Sequence, residues 1–216
     1  MSAAGFDPFS LALVLALLAV LPLLLMVTTC FLKVAVVLML VRNAMGVQQA
    51  PPSMAIYAMA MVLTLFVMSP TLQQMGDRFR GEEAGAVAGS VLDRVERAAT
   101  PLRGFMLKHT KPEQSEQFLA TARKLWGAEA GAKATREDLL ILIPAFVVSE
   151  LQTGFEIGFL LYIPFVVIDL VVSNILLALG MQMVSPSTVS LPLKILLFVM
   201  VDGWGKLLHG LALSYL

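Results

Sequence analysis

Residues 154–204 constrain the fold more than any other part of the chain. They form two long apolar runs separated by the short polar turn at residues 185–188. Ionisable side chains stand inside or at the edges of these runs, at Glu156, Asp169, Lys194 and Asp202. A lone ionised group in hydrocarbon costs at least ~2.5 kcal/mol. These charges therefore predict a polar interior, a partner or a path through the protein.

Most of the other charges are concentrated in one segment. Residues 71–139 hold 21 of the 30 Asp, Glu, Lys and Arg residues, although the net charge of the chain is zero. With 58% hydrophobic residues and a mean hydropathy of +0.85, the composition is typical of a membrane protein. We therefore expect an N-terminal hydrophobic helical hairpin at residues 1–70, a charged helical insert at 71–139 and a C-terminal hydrophobic hairpin at 140–216.

Hydropathy predicts an all-α fold with four apparent transmembrane helices, because about 20 apolar residues of helix cross a ~30 Å hydrocarbon core. These helices are expected at residues 9–32, 54–68, 157–179 and 191–213. The second should end at Ser69-Pro70, since the residue before a proline is pushed out of the helical region. A polar interruption at residues 149–153 should precede the third. In the insert, helices are expected at residues 91–99, at 114–126 and from 136 onward.

The basic residues outside the insert indicate an orientation. Two hairpins place both termini and the insert on one side of the membrane. Lys33 and Arg42 lie in the first expected inter-helix loop and Lys194 lies near the second, so the positive-inside tendency places these loops in the cytoplasm. The insert is then expected on the periplasmic side.

Motifs of catalysis are not apparent in the sequence. It contains neither a Walker-type phosphate loop nor a recognisable nucleophile signature. The two histidines, His109 and His209, are far apart and have no further metal ligands at suitable spacing. We therefore expect no enzyme activity, no cofactor, no metal and no nucleic-acid partner.

Specific motifs appear in both hydrophobic regions. In the C-terminal region they are Phe155-Glu156-Ile157-Gly158-Phe159, Pro164-Phe165, Asp169, Leu179-Gly180-Met181, Pro186, Leu191-Pro192-Leu193-Lys194, Phe198 and Val201-Asp202-Gly203-Trp204. In the N-terminal region they are Phe31-Leu32-Lys33, Arg42-Asn43-Ala44 and Gln48-Gln49-Ala50-Pro51-Pro52. In order and spacing they resemble the flagellar FliP and injectisome SctR family, core subunits of the type III secretion export apparatus. The N-terminal motifs favour the injectisome branch, and the resemblance covers about two thirds of the chain.

The resemblance implies an export gate that conducts unfolded secreted proteins across the bacterial inner membrane. Five copies are then expected to assemble with SctT-type and SctS-type subunits into a helical, pseudo-hexameric funnel. SctU-type switch and SctV-type export gate proteins are further expected partners. The resemblance also implies that much of the hydrophobic surface is buried against neighbouring subunits. The multi-pass assembly would then lie largely on the periplasmic side of the inner membrane, and the apparent transmembrane helices need not span it.

A methionine-rich loop narrows the pore in this family, and it matches Met181 and Met183 here. Flexible, unbranched methionine side chains in a ring would limit ion leakage yet deform around varied polypeptides. Gln182 stands where flagellar relatives commonly carry a third methionine. The alternative is that Met181 and Met183 only pack at a helix end.

The charged and glycine residues are expected to serve assembly. Because an unpaired buried ion costs several kcal/mol, pairs within or between subunits are the favoured interpretation of Glu156, Asp169, Lys194, Asp202 and Lys206. Asp202 and Lys206 are spaced for a pair within one helix. A proton relay through Asp169 or Glu156 is the competing hypothesis. Close helix packing is expected at the glycines, which are Gly154, Gly158 and Gly180.

Two functions of other classes remain open at this point. The first is an independent small membrane channel or secondary transporter, which the short chain and the lack of a visible inverted repeat disfavour. The second is a membrane scaffold without a conduit. Oligomeric state, partner subunits and contact with an exported substrate distinguish these alternatives.

Overall fold

A computed structural model describes most of the chain, namely residue 15 and residues 19–20, 22–47, 50–81, 97 and 99–216. The regular secondary structure of these residues is helical, which confirms the predicted all-α class. In chain order the helices are α1 (Pro22–Thr28), α2 (Phe31–Ala44), α3 (Ser53–Gly81), α4 (Thr100–His109), α5 (Pro112–Leu125), α6 (Gly127–Lys133), α7 (Leu139–Ala178), α8 (Pro186–Met200) and α9 (Gly203–Leu213).

Helix α2 lies at the centre of the main core. Val34, Val37 and Leu38 are fully buried, and the helix packs against α3 and α7. Phe198 of α8 and Leu211 of α9 belong to the same hydrophobic cluster. A helix that is apolar on almost all sides is expected to be buried on all sides. The sequence 31–44 therefore forms the element around which the hydrophobic helices are arranged.

Three of the four predicted hydrophobic helices have other bounds in the structure. Pro70 lies inside α3, so the expected helix end at Ser69-Pro70 is wrong. A proline removes one helical hydrogen bond, but the exposed Pro70 does not end the helix here. The division into regions at 1–70, 71–139 and 140–216 stays a prediction. Helix α3 continues across the first of these boundaries.

The expected polar interruption at residues 149–153 is also wrong, because α7 runs unbroken for 40 residues from Leu139 to Ala178. Ser149 donates a hydrogen bond to the carbonyl of Ala145 at 2.7 Å, within the same helix. Its hydroxyl also accepts the backbone N–H of Lys111 at 3.0 Å. Ser149 and Glu150 are thus buried against other parts of the chain, whereas the sequence pattern suggested a loop.

The fourth predicted helix, at residues 191–213, is two helices in the structure. Helices α8 and α9 are separated at Val201 and Asp202, and Asp202 has a left-handed backbone with φ 53° and ψ 51°. Gly203 then lies against the aromatic ring of Phe198, at a position that leaves no space for a Cβ. This close approach requires a glycine directly after the break.

The first predicted helix, at residues 9–32, lies partly outside the described residues. Its described part bends by 79° between α1 and α2. Thr28 and Thr29 donate hydroxyl hydrogen bonds to the carbonyls of Leu24 and Leu25, at 2.7 and 2.6 Å. Such bonds to carbonyls four residues earlier often bend helices.

The insert helices pack against the first part of α7. Met106 of α4 contacts Leu142 and Phe146, and Ala122 of α5 belongs to a cluster with Ile141. The helix expected at 114–126 is confirmed as α5. The helix expected from 136 onward begins three residues later, at Leu139. Almost all of the helix expected at 91–99 lies outside the described residues.

Two described helices are long and apolar enough to cross a membrane, at Ser53–Arg78 and Leu139–Ala178. The bent pair of α1 and α2 gives a third span if it is counted as one, and α8 is apolar but shorter. Lys33 lies inside α2 rather than in a loop, and both Lys33 and Lys194 are buried. The positive-inside tendency counts basic residues in loops. Because Lys33 and Lys194 are buried and form ion pairs, these two residues no longer support the orientation that was derived from it.

Candidate functional site

The hairpin of α7 and α8 presents a tight loop at its tip. The N–H of Gly180 donates to the carbonyl of Leu177 at 3.0 Å, and the N–H of Met181 donates to that of Leu176 at 2.9 Å. These two bonds form a Schellman motif, which requires a left-handed residue after the helix. Gly180 fills that position with φ 71°. The motif therefore fixes the direction in which residues 181–183 leave the helix.

The side chains of this loop point into open space. Met183 is 100% exposed, Met181 is 44% exposed and Gln182 is also exposed. Ser185 and Ser187 share a hydrogen bond of 2.8 Å between their hydroxyls, just before and inside the first turn of α8. Met181, Gln182 and Met183 thus lie together at one end of the hairpin.

An ion pair joins the two arms of the hairpin. Lys194 Nζ of α8 lies 2.6 Å from Asp169 Oδ2 of α7 and donates to the carbonyl of Ala44 at 3.2 Å. The Lys194 side chain is 7% exposed and that of Asp169 is 45% exposed. The pair therefore connects α7, α8 and the end of α2, with the acid turned towards the surface.

Glu156 lies at the surface of α7. It forms an ion pair with Lys111 at 3.0 Å and accepts a hydrogen bond from Gln152 at 3.0 Å. Asp202 and Lys206 are both exposed, and in the described part of the chain no ion pair joins them. Instead, the backbone N–H of Lys206 donates to the backbone carbonyl of Asp202 at 3.0 Å.

Gly154 and Gly158 lie where α7 meets α2. A Cβ on Gly154 would stand 3.5 Å from the Cα and carbonyl oxygen of Lys33. A Cβ on Gly158 would collide with the side chain of Leu40. Both glycines are buried, whereas Gly180 has no heavy atom near its Cβ position. The three glycines thus occupy two different environments.

The sequence analysis missed a buried polar cluster formed by Lys33, Glu150 and Tyr215. Lys33 Nζ lies 3.5 Å from Glu150 Oε1, and each side chain is only 3% exposed. The Tyr215 hydroxyl donates a hydrogen bond to the other carboxylate oxygen of Glu150. Lys33 Nζ also stands 3.5 Å from the centre of the Tyr215 ring. The sequence contained one signal of this cluster: Lys33 and Glu150 carry opposite charges and lie in two separate apolar parts of the chain.

Aromatic side chains of the insert cover this cluster. His109 packs edge-on against Tyr215, with ring centres 5.1 Å apart, and against Phe105 at 4.7 Å. Burial lowers the pKa of His109 to about 4, with further contributions from the positive charges of Lys33 and Lys108. Burial also raises the pKa of Tyr215 far above its ordinary value, and the neighbouring Glu150 carboxylate adds to this. His109 is therefore neutral and Tyr215 is protonated at neutral pH.

Comparisons with known proteins agree over almost the whole chain. The FliP family model matches residues 14–211. The harpin secretion protein HrcR of Erwinia amylovora is 50% identical over the full length of both chains. The Yop proteins translocation protein R of Yersinia pestis is 47% identical over 97% of both chains, and the virulence protein YscR of Salmonella typhimurium is 42% identical over 97% of both. The family predicted from the motifs is thereby confirmed, and the chain belongs to the FliP family of type III secretion proteins.

Proposed function

We propose that this chain is a pore-forming subunit of a type III secretion export gate, and that it conducts unfolded proteins across the bacterial inner membrane. The observation that carries the proposal is the exposed loop at the tip of the α7–α8 hairpin, where Met181 and Met183 project from a fixed turn. The names of the relatives, which refer to harpin secretion and to Yop translocation, support export as the activity. The family is one of secretion components rather than of known enzymes.

In the proposed gate, Met181 and Met183 of several copies form a gasket around the passing chain. Methionine has three rotatable bonds and a polarisable thioether, so it adapts to surfaces of different shape. Gln182 lies between them and makes the ring less apolar than three methionines would. The fully exposed side chain of Met183 has room to move against a substrate.

The proposed assembly contains five copies of this chain with SctT-type and SctS-type subunits, in contact with SctU-type and SctV-type proteins. Its support is the unusual exposure of large apolar side chains on α7 and α8. Phe159, Leu170 and Ile175 of α7 are more than half exposed, as are Val199 and Met200 of α8. Contiguous apolar surfaces of this kind mark protein or membrane contacts. In this proposal they are covered by neighbouring subunits in a multi-pass complex, largely at the periplasmic side.

The charged residues have structural roles in this proposal. Asp169 and Lys194 hold the hairpin arms together, while Glu156 connects α7 to the insert through Lys111. Asp202 and Lys206 remain exposed and are available to pair with a neighbouring subunit. Gly154 and Gly158 allow α7 to approach α2, and Gly180 turns the chain at the hairpin tip.

The gasket is tested by the double variant M181A/M183A. We expect a higher ion conductance of membranes that contain the assembled gate, because alanine shortens the side chains that close the ring. M54A, which truncates another exposed methionine at 83% exposure, is the matched control. An unchanged conductance in M181A/M183A, with normal assembly, would contradict the gasket.

A crosslinking experiment separates a pore from the other functions. A photoreactive amino acid at Met183 should crosslink to an export substrate that is stalled in the gate, while one at Met54 should not. A scaffold would give no crosslink at either position. An independent channel or transporter would be isolated without partner subunits in a native mass measurement, whereas the gate predicts five copies with its partners.

A further inference from the structure

Tyr215 lies outside the loop at the hairpin tip and contacts several elements of the fold. It follows α9, and its hydroxyl reaches Glu150 of α7 and the carbonyl of Cys30 at 3.5 Å, between α1 and α2. Its ring lies under Lys33 of α2 and is stacked on Phe105 of α4, with ring centres 5.9 Å apart. One side chain therefore connects the insert to both hydrophobic regions.

The ion pair of Lys33 and Glu150 is incomplete without this tyrosine. Both side chains are 97% buried, since each is only 3% exposed, and their closest approach is 3.5 Å. A buried pair repays its desolvation only if further hydrogen bonds satisfy the remaining polar atoms. The Tyr215 hydroxyl supplies that bond to the second Glu150 oxygen, and the face of its ring attracts the ammonium group.

We propose that Tyr215 completes the buried Lys33–Glu150 pair through its hydroxyl and, through its ring, locks the insert onto the two hydrophobic hairpins. The hydroxyl fixes the carboxylate, and the ring packs against Phe105 and His109 of α4. The two parts of the side chain thus have separable tasks. This inference is independent of the pore and of the methionine gasket.

The hydroxyl is tested by the variant Y215F in two backgrounds, with the full chain in detergent and thermal unfolding as the readout. In the wild-type background Y215F should lower the unfolding midpoint by about 3–8 °C, because it leaves one Glu150 oxygen buried without a donor. In the background K33M/E150M, where the charges are replaced by apolar side chains, Y215F should have no effect or raise the midpoint. Y162F changes a tyrosine that is 40% exposed and is the matched control, with no shift expected.

The ring is tested by hydrogen exchange of the α4 backbone amides in Y215F and Y215L. Y215F keeps the ring and should keep the protection of α4, while Y215L should increase exchange in residues 102–109 by about tenfold or more. Equal midpoint losses for Y215F in both backgrounds would overturn the proposed completion of the ion pair. Unchanged α4 exchange in Y215L would overturn the lock. If Y215L does not fold, the comparison of Y215F in the two backgrounds still decides the role of the hydroxyl.

Discussion

Gly180 and Gly104 both have open space where a Cβ would stand, but their backbones differ. Gly180 has φ 71° at the end of α7, a conformation that costs an L-residue ~1–2 kcal/mol, whereas Gly104 lies inside helix α4. We expect G180A to lower the free energy of unfolding by ~1 kcal/mol. In contrast, G104A should raise it by ~0.5–1 kcal/mol, since alanine favours helices. Denaturant unfolding of the two variants in detergent measures both changes, and equal effects would contradict this account of the hairpin tip.

His109 should make the stability of the protein depend on pH. Its pKa is about 4 in the folded protein and ~6.5 in an unfolded chain, so the unfolded state binds the proton first as the pH falls. The contribution of neutral His109 is therefore fully present above pH ~6.5 and is lost as the pH falls towards 4, by at most ~1.4 kcal/mol per pH unit.

The variant H109F isolates this dependence, because it keeps a ring against Phe105 and Tyr215 but cannot bind a proton. The free energy of unfolding of H109F should change less between pH 6.5 and 4 than that of the wild-type protein. H209Q, at an exposed histidine, is the matched control. Identical pH profiles of H109F and the wild-type protein would show that other groups cause the acid destabilisation.

At the scale of elements, the pair of Asp169 and Lys194 should respond asymmetrically to substitution. Lys194 is 7% exposed but Asp169 is 45% exposed, so D169N leaves a buried ammonium with a neutral partner, while K194M leaves a carboxylate that water can reach. We expect D169N to lower the free energy of unfolding by ~2–3 kcal/mol and K194M by less. The double variant D169N/K194M should lie closer to the wild-type protein than D169N does.

The same variants separate the structural role from a proton relay. Thermal unfolding of the four proteins gives the stability changes, and a secretion assay gives the activity. A structural pair predicts that D169N/K194M secretes better than D169N. If D169N keeps its stability and assembly but does not secrete, the relay hypothesis gains and the structural role is contradicted.

The helical class is predictable from the sequence, but the bounds of the helices depend on contacts that a hydropathy pattern does not show. The helical class and α5 follow from apolar content and spacing. Pro70 lies inside α3 and Ser149 lies inside α7. One missing hydrogen bond or one polar side chain does not end a helix when the residues on both sides of it are helical. The break at Asp202 comes with a left-handed backbone and with a close contact between Gly203 and the ring of Phe198, and neither is visible in a hydropathy pattern.

The candidate site was predictable to a similar degree. Met181 and Met183 follow from the family motif and lie together in the loop. The cluster around Glu150 could not be found by spacing, because its members are separated by more than 60 residues. Only the three-dimensional packing of α2 on α7 brings Lys33 to Glu150.

At the scale of the whole molecule, burial is distributed very unevenly. Helix α2 is enclosed by its neighbours, while α7 from residue 155 onward exposes many large apolar side chains, including Phe155, Phe159 and Leu160. Within the candidate span at Leu139–Ala178, only 17% of an apolar 18-residue window is buried inside a single chain. In the proposed gate, other copies cover this face, so the isolated subunit is not the functional unit.

A charge on this face should therefore prevent assembly without unfolding the subunit. Phe159 is 67% exposed and Val199 is 67% exposed, on α7 and α8. We expect F159K and V199K to shift the native mass of the detergent-extracted protein from a multimer towards the single chain, because an unpaired lysine at a closed interface is strongly unfavourable. L125K, at a 76% exposed leucine of the insert, is the control and should keep the multimer. Circular dichroism verifies that the helices remain in all three variants. A multimer that persists in F159K and V199K would mean that lipid, rather than another subunit, covers this face.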